Sequence, residues 1–133
     1  MVNAFWNHSD PFNADGEGAE SFAEFINRVQ GVLERLRYLE KEFVVVFSHE
    51  QFIRAALWLS FVKPTEMTSD TMKSFRCFLT SFSMKNGAIL PIKFVDKENV
   101  WIGTMITSHL QEDSKEPLSS DFVSMECLET CCL

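Results

Sequence analysis

Ser48 and His49 are the residues of this sequence best placed to do chemistry, because an apolar run ends there and amphipathic sequence begins. The run, residues 43–47, predicts a strand covered on both faces, and the sequence from Glu50 predicts a helix. Ligands of open α/β sheets bind beyond the carboxyl ends of strands. A histidine there can donate a hydrogen bond to a phosphoryl oxygen or transfer a proton, and the free N–H groups of the following helix favour an anion. Alternatively, His49 is an ordinary turn residue that caps the helix.

Other reactive residue types have weaker contexts. Cys77 stands alone, and the remaining cysteines crowd into the last seven residues: Cys127, Cys131 and Cys132. Zinc spacing of the C-x-x-C type is absent, and adjacent cysteines are awkward tetrahedral ligands. The sequence also lacks a phosphate-binding P-loop, a dinucleotide fingerprint and a G-x-S-x-G elbow. We therefore predict neither a metal site nor a cofactor.

The elements that must position Ser48 and His49 follow from apolar spacing and turn residues. Ser21 and Glu24 have the capping-box pattern that opens a helix of about five turns. After the strand at 43–47, the predicted elements are helices at 50–61 and 69–78, a hairpin of strands at 87–95 and 100–107, and a polar tail. We expect one α/β domain over residues 1–110 and a cysteine-bearing tail over 111–133.

The composition is that of a soluble globular chain. Its 133 residues carry 12 basic against 19 acidic side chains, a net charge of −7, which argues against nucleic acid and anionic membrane surfaces as partners. No apolar run approaches the roughly 20 residues that span a bilayer, and no signal peptide is apparent. We expect a cytoplasmic protein with reduced thiols.

Three stretches together resemble the histidine phosphatase superfamily, the phosphoglycerate-mutase-like proteins. The first is "FWNHSDPFNADGEGAESFAEFINRVQGVLERL", in which Arg28 matches a conspicuous arginine of the family. The second is "VVVFSHEQFIRAAL", which is similar to the family's strand followed by Ser-His-Gly. The third is "KNGAILPIKFVDKENVWIGTMITSHL", which is similar to the family's Asn-containing strand, hairpin and His-Leu ending. They cover about residues 5–110 in the family's order. The resemblance implies a three-layer α/β sandwich with a mixed sheet and a C-terminal hairpin. It also implies phosphate-ester hydrolysis or phosphoryl transfer, with His49 as the second active-site histidine and Ser48 beside it at the phosphate.

The chain departs from that family at two places. The family's nucleophile is a histidine in an Arg-His-Gly motif, and no histidine follows any arginine of this sequence. Glu50 stands where the family usually has glycine, and its carboxylate repels a phosphate ligand. We expect a sequence that starts near the family's midpoint, an incomplete sandwich, and no catalysis by the chain alone.

A missing neighbour strand leaves the edge of residues 43–47 unpaired, a template for association. The sequence therefore predicts a homo-oligomer or a companion chain that covers this edge. Three functions stay open: a shortened phosphatase-like protein that binds a phosphorylated small molecule or phosphate, a non-catalytic interaction module, and half of a phosphatase completed by another chain.

Overall fold

The computed structural model describes residues 6, 8–96 and 99–110. The chain divides into two compact units, Met1–Phe82 and Ser83–Leu133. The described residues of the first unit include the helices α1 (Phe22–Arg37), α2 (Glu50–Val62) and α3 (Ser69–Ser81). The second contains a two-stranded antiparallel sheet of β1 (Ile92–Phe94) and β2 (Val100–Ile102). This mixture of helix and a small sheet is compatible with the α/β class.

The predicted capping box at the start of α1 is confirmed. The Ser21 hydroxyl oxygen accepts the Glu24 backbone N–H at 3.3 Å, and the Glu24 carboxylate accepts the Ser21 N–H at 2.8 Å. Two backbone donors that the helix itself cannot satisfy are thereby paired. Arg35 and Arg37 in the last turn suit the negative end of the helix dipole.

The hydrophobic core of the first unit lies between its three helices. Helix α2 packs against both α1 and α3, and its five consecutive residues from Ala55 to Leu59 are all buried. Such a continuous run means that neighbours cover several faces of the helix rather than one stripe. The core is completed from the other two helices by Phe22, Ile26, Val29, Met72 and Phe75.

The end of α2 follows from local backbone chemistry. Its C-cap, Lys63, adopts a left-handed conformation with φ 44° and ψ 60°, and its N–H donates to the Leu59 carbonyl at 3.3 Å. Pro64 follows immediately and lacks the N–H that a further helical turn needs. Helices α2 and α3 each extend slightly beyond the predicted ends at residues 61 and 78.

The prediction of a buried strand at residues 43–47 is wrong for the described structure. These residues belong to neither strand, and Phe43 and Phe47 are 83% and 94% exposed. A strand exists only where another strand supplies hydrogen-bond partners. Among the described residues none pairs with this segment, so its β-branched composition has no sheet to join.

The predicted hairpin is confirmed, with strands shorter than expected. β1 and β2 pair in the register Ile92↔Ile102, Lys93↔Trp101 and Phe94↔Val100, and an isolated bridge joins Ile89 to Ile106. The Asp96 carboxylate accepts the backbone and side-chain N–H groups of Asn99, each at 2.8 Å. Those bonds tie Asp96, which follows β1, to Asn99, which precedes β2.

The predicted tail, 111–133, lies outside the described residues, and the predicted single domain over 1–110 stays a prediction. Of the helices in the described part of the chain, none is long and apolar enough to cross a membrane.

Candidate functional site

His49 occupies the N-cap position of α2, with φ −89° and ψ 150°. Its carbonyl accepts the Ile53 N–H at 3.0 Å, which starts the helix. Its side chain makes no capping hydrogen bond, and Ser48 and His49 are both exposed. The sequence therefore located the helix start correctly, and His49 is its N-cap residue, although its side chain makes no capping hydrogen bond.

The first turn of α2 carries charges of both signs. Glu50, its first residue, accepts from the Arg54 guanidinium at 2.7 Å across one helical turn. The Arg54 side chain is only 16% exposed, and its Nε is buried without a hydrogen-bond partner in the described structure. A buried donor without an acceptor is costly. This end of the helix thus combines backbone N–H groups, a partly buried guanidinium and one opposing carboxylate.

Arg28 of α1 contacts this same turn through an aromatic ring. Its guanidinium carbon lies 5.4 Å from the ring centroids of both Phe25 and Phe52, and Phe52 is three residues beyond His49. The two rings meet edge to face at 6.4 Å. Contact with a ring face stabilises a cation. Helix packing therefore fixes Arg28 against the first turn of the helix that His49 begins.

Glu20 holds Arg28 by two parallel hydrogen bonds. The Nε and Nη2 groups of Arg28 donate to the two carboxylate oxygens of Glu20, each at 2.7 Å. These bonds lower the pKa of the Glu20 carboxyl below its ordinary value and raise the pKa of Arg28. The family resemblance singled out Arg28 but not its partner. Glu20 precedes α1, so helical i,i+4 spacing could not reveal the pair.

The Glu20–Arg28 pair gives the first unit a pH-dependent contribution to stability. The folded-state pKa of Glu20 is lowered, so the contribution is present above the unfolded pKa and is lost as the pH falls through the folded value. Both side chains are substantially exposed, and the pair is expected to contribute less than about 1 kcal/mol. Urea unfolding at pH 6 should show Glu20→Gln less stable than the wild type, and the difference should shrink as the pH falls below the ordinary pKa of a glutamate.

The matched control for that experiment is Glu17→Gln, an exposed carboxylate in the same loop. Its stability difference from the wild type should stay near zero across the pH range. A Glu20→Gln difference that persists undiminished at low pH would show that the ion pair is not its source.

No other feature of the described residues is a candidate for a metal-binding or ligand-binding site. None of them forms a group of three or more side chains suited to a metal ion. A shallow depression of about 360 Å³ is lined by Phe12, Ser21, Ala23, Glu24 and Asn27. The Ser21 hydroxyl and the Glu24 carboxylate are hydrogen-bonded to each other in the capping box. Neither Ser48 nor His49 lines the depression.

Residues 1–93 match the histidine phosphatase superfamily (branch 1). The match covers more than half of the 133 residues and includes α1, α2 and the candidate site, and the chain therefore belongs to that superfamily. It ends within β1, so the resemblance suggested for residues 94–110 stays a prediction. No curated protein and no solved structure shows significant similarity to the chain.

Proposed function

We propose that this chain binds a phosphoryl group or inorganic phosphate at the start of α2 and does not hydrolyse phosphate esters alone. The observation that carries the proposal is the exposed His49 imidazole, which stands at a helix N-terminus and is not used as a cap. The free N–H groups of the first turn and the positive end of the helix dipole favour an anion there. Ser48 and His49 supply side-chain donors beside them.

Two arginines support an anionic ligand at this place. Arg28 lies against the ring of Phe52 in the first turn, and Arg54 has a buried Nε donor without a partner in the described structure. Guanidinium groups bind phosphate through paired hydrogen bonds. Arg28 pairs with Glu20, and Arg54 pairs with Glu50. A bound phosphate would have to displace these carboxylates or bind beside them.

The absence of hydrolysis follows from the lack of an Arg-His pair in the sequence. Covalent catalysis requires an activated nucleophile, and the family resemblance assigns that role to a histidine after arginine. His109 does not substitute, because its Nε2 is bound to the Gly87 carbonyl at 2.9 Å. A nucleophile supplied by another chain remains the third of the functions that the sequence leaves open.

The test is calorimetric titration with inorganic phosphate and with vanadate, alongside a phosphomonoester assay. The wild type should bind both anions and show no hydrolysis above the blank. His49→Ala should weaken binding at least about tenfold, the loss of one charge-assisted or strong hydrogen bond. His8→Ala is the control and should bind as the wild type does. Equal binding by His49→Ala would refute the site, and hydrolysis that His49→Ala abolishes would refute the lack of catalysis.

A second candidate function is association through residues 43–47, which the exposure of all five side chains favours. Either a homo-oligomer or a companion chain would provide a strand neighbour for residues 43–47, with which none of the described residues pairs, and the three-layer sandwich is proposed to form in that assembly. Sedimentation over a wide concentration range tests it, since a monomer throughout excludes the homo-oligomer. A cytoplasmic location is also proposed and rests on the sequence, in which the spacing of the four cysteines is not that of a disulfide framework.

A further inference from the structure

The segment at residues 43–47 is open on both of its faces. Phe43, Val45 and Phe47 are 83%, 60% and 94% exposed, and the intervening Val44 and Val46 are 44% and 51% exposed. The strand pairings of the described residues all lie between Ile89 and Ile106 and do not involve it. Five consecutive exposed apolar residues with high β-propensity can pair as a strand edge, and none of the described residues pairs with them.

The segment reads the same in both directions, Phe-Val-Val-Val-Phe. Antiparallel pairing of two copies about Val45 therefore places Phe43 opposite Phe47 and Val44 opposite Val46, each pair occurring twice. Aromatic and β-branched cross-strand pairs are the ones that stabilise a sheet. No shifted register matches all five positions.

The flanking charges distinguish antiparallel from parallel pairing. Antiparallel pairing about Val45 brings Glu42 opposite Ser48, and the strand ends before Glu50, where α2 begins. Parallel pairing in register instead stacks Glu40 on Glu40 and Glu42 on Glu42. Like charges directly opposite each other destabilise a sheet.

We propose that the occupant of this edge is residues 43–47 of a second copy of the chain, paired antiparallel with Val45 on the two-fold axis. The inference extends the association proposed above by naming the partner and its register. It places the two His49 residues at opposite ends of the strand pair, about 27 Å apart along the strands at about 3.4 Å per residue. The two phosphate sites of a dimer are then separate, and each chain carries its own.

Disulfide trapping tests both the partner and the register, in a background where all four native cysteines are serine. Val45→Cys should cross-link with itself. Val44→Cys protein mixed with Val46→Cys protein should form a disulfide-linked dimer. The yield of that dimer should be at least about tenfold lower for Val44→Cys protein by itself. Opposed residues of an antiparallel pair have Cα atoms about 4.5 or 5.5 Å apart, both within disulfide reach.

Val45→Asp separates this inference from phosphate binding. It should convert the dimer to a monomer in sedimentation, since two carboxylates would meet on the axis, while phosphate titration at His49 stays unchanged. The far-ultraviolet circular dichroism of each variant checks that the helices remain. A wild-type monomer at all concentrations would overturn the inference. So would a Val44→Cys protein that cross-links alone as readily as in the mixture, or a dimer in which none of the three cysteines cross-links.

Discussion

Replacing Phe75 by alanine is expected to lower the free energy of unfolding of the first unit by about 3–5 kcal/mol, the usual cost of a large cavity in a core. Phe75 is fully buried on α3, at the centre of the helix packing. Its ring centroid lies 5.4–6.4 Å from four other aromatic rings: Trp6, Phe22, Phe25 and Trp58. These rings come from α1, α2 and the segment before α1, so the cavity would loosen several contacts at once.

Urea denaturation followed by circular dichroism measures that loss. Phe61→Ala is the matched control, because Phe61 lies on α2 with 67% of its surface exposed. It should change the free energy of unfolding by less than about 0.5 kcal/mol. If Phe75→Ala does not fold, Phe75→Leu should fold with a cost of about 1–2 kcal/mol. Equal effects of Phe75→Ala and Phe61→Ala would contradict the central role of Phe75.

Replacing Glu50 by glutamine is expected to tighten phosphate binding about tenfold, which corresponds to about 1.4 kcal/mol. Two like unit charges 4 Å apart repel each other by about 1 kcal/mol in water and by about 4 kcal/mol at an effective dielectric constant of 20. The 2.7 Å ion pair with Arg54 offsets part of this repulsion. The substitution also releases the Arg54 guanidinium, which becomes free to bind the anion. Calorimetric titration with phosphate measures the change.

Asp70→Asn provides a matched control for Glu50→Gln. Asp70 stands in the first turn of α3 and pairs with Lys73 at 3.2 Å, so the substitution removes a comparable carboxylate from a helix that has no histidine at its N-cap. Both substitutions should lower stability by about 0.3–1 kcal/mol through the helix dipole. Only Glu50→Gln should change phosphate affinity. Unchanged or weaker binding by Glu50→Gln would show that its carboxylate does not oppose the ligand.

Local signals in the sequence predicted the helices and the hairpin turn well. The capping box of Ser21 and Glu24, and the helix start after His49, depend on residues within one turn of each other, and both are confirmed. The strand at 43–47 failed because a strand is defined by a partner that its own residues do not specify.

The surroundings of the candidate site were the least predictable part. Arg28 contacts Phe52 only because α1 packs on α2, and Glu20 reaches Arg28 from outside the helix. Neither contact follows a regular spacing in the sequence. The change from apolar to amphipathic sequence nevertheless located His49, because such a change marks a helix start whether or not a sheet forms before it.

Helix α2 keeps the residues that pack in the core apart from the residues that face solvent at its first turn. Its middle, from Ala55 to Leu59, is enclosed by neighbouring helices, whereas His49 and Glu50 at its beginning are exposed. Substitutions at the beginning should therefore cost little stability, while the middle tolerates little change. Residues of the proposed phosphate site can thus be replaced one at a time without loss of the fold that presents them.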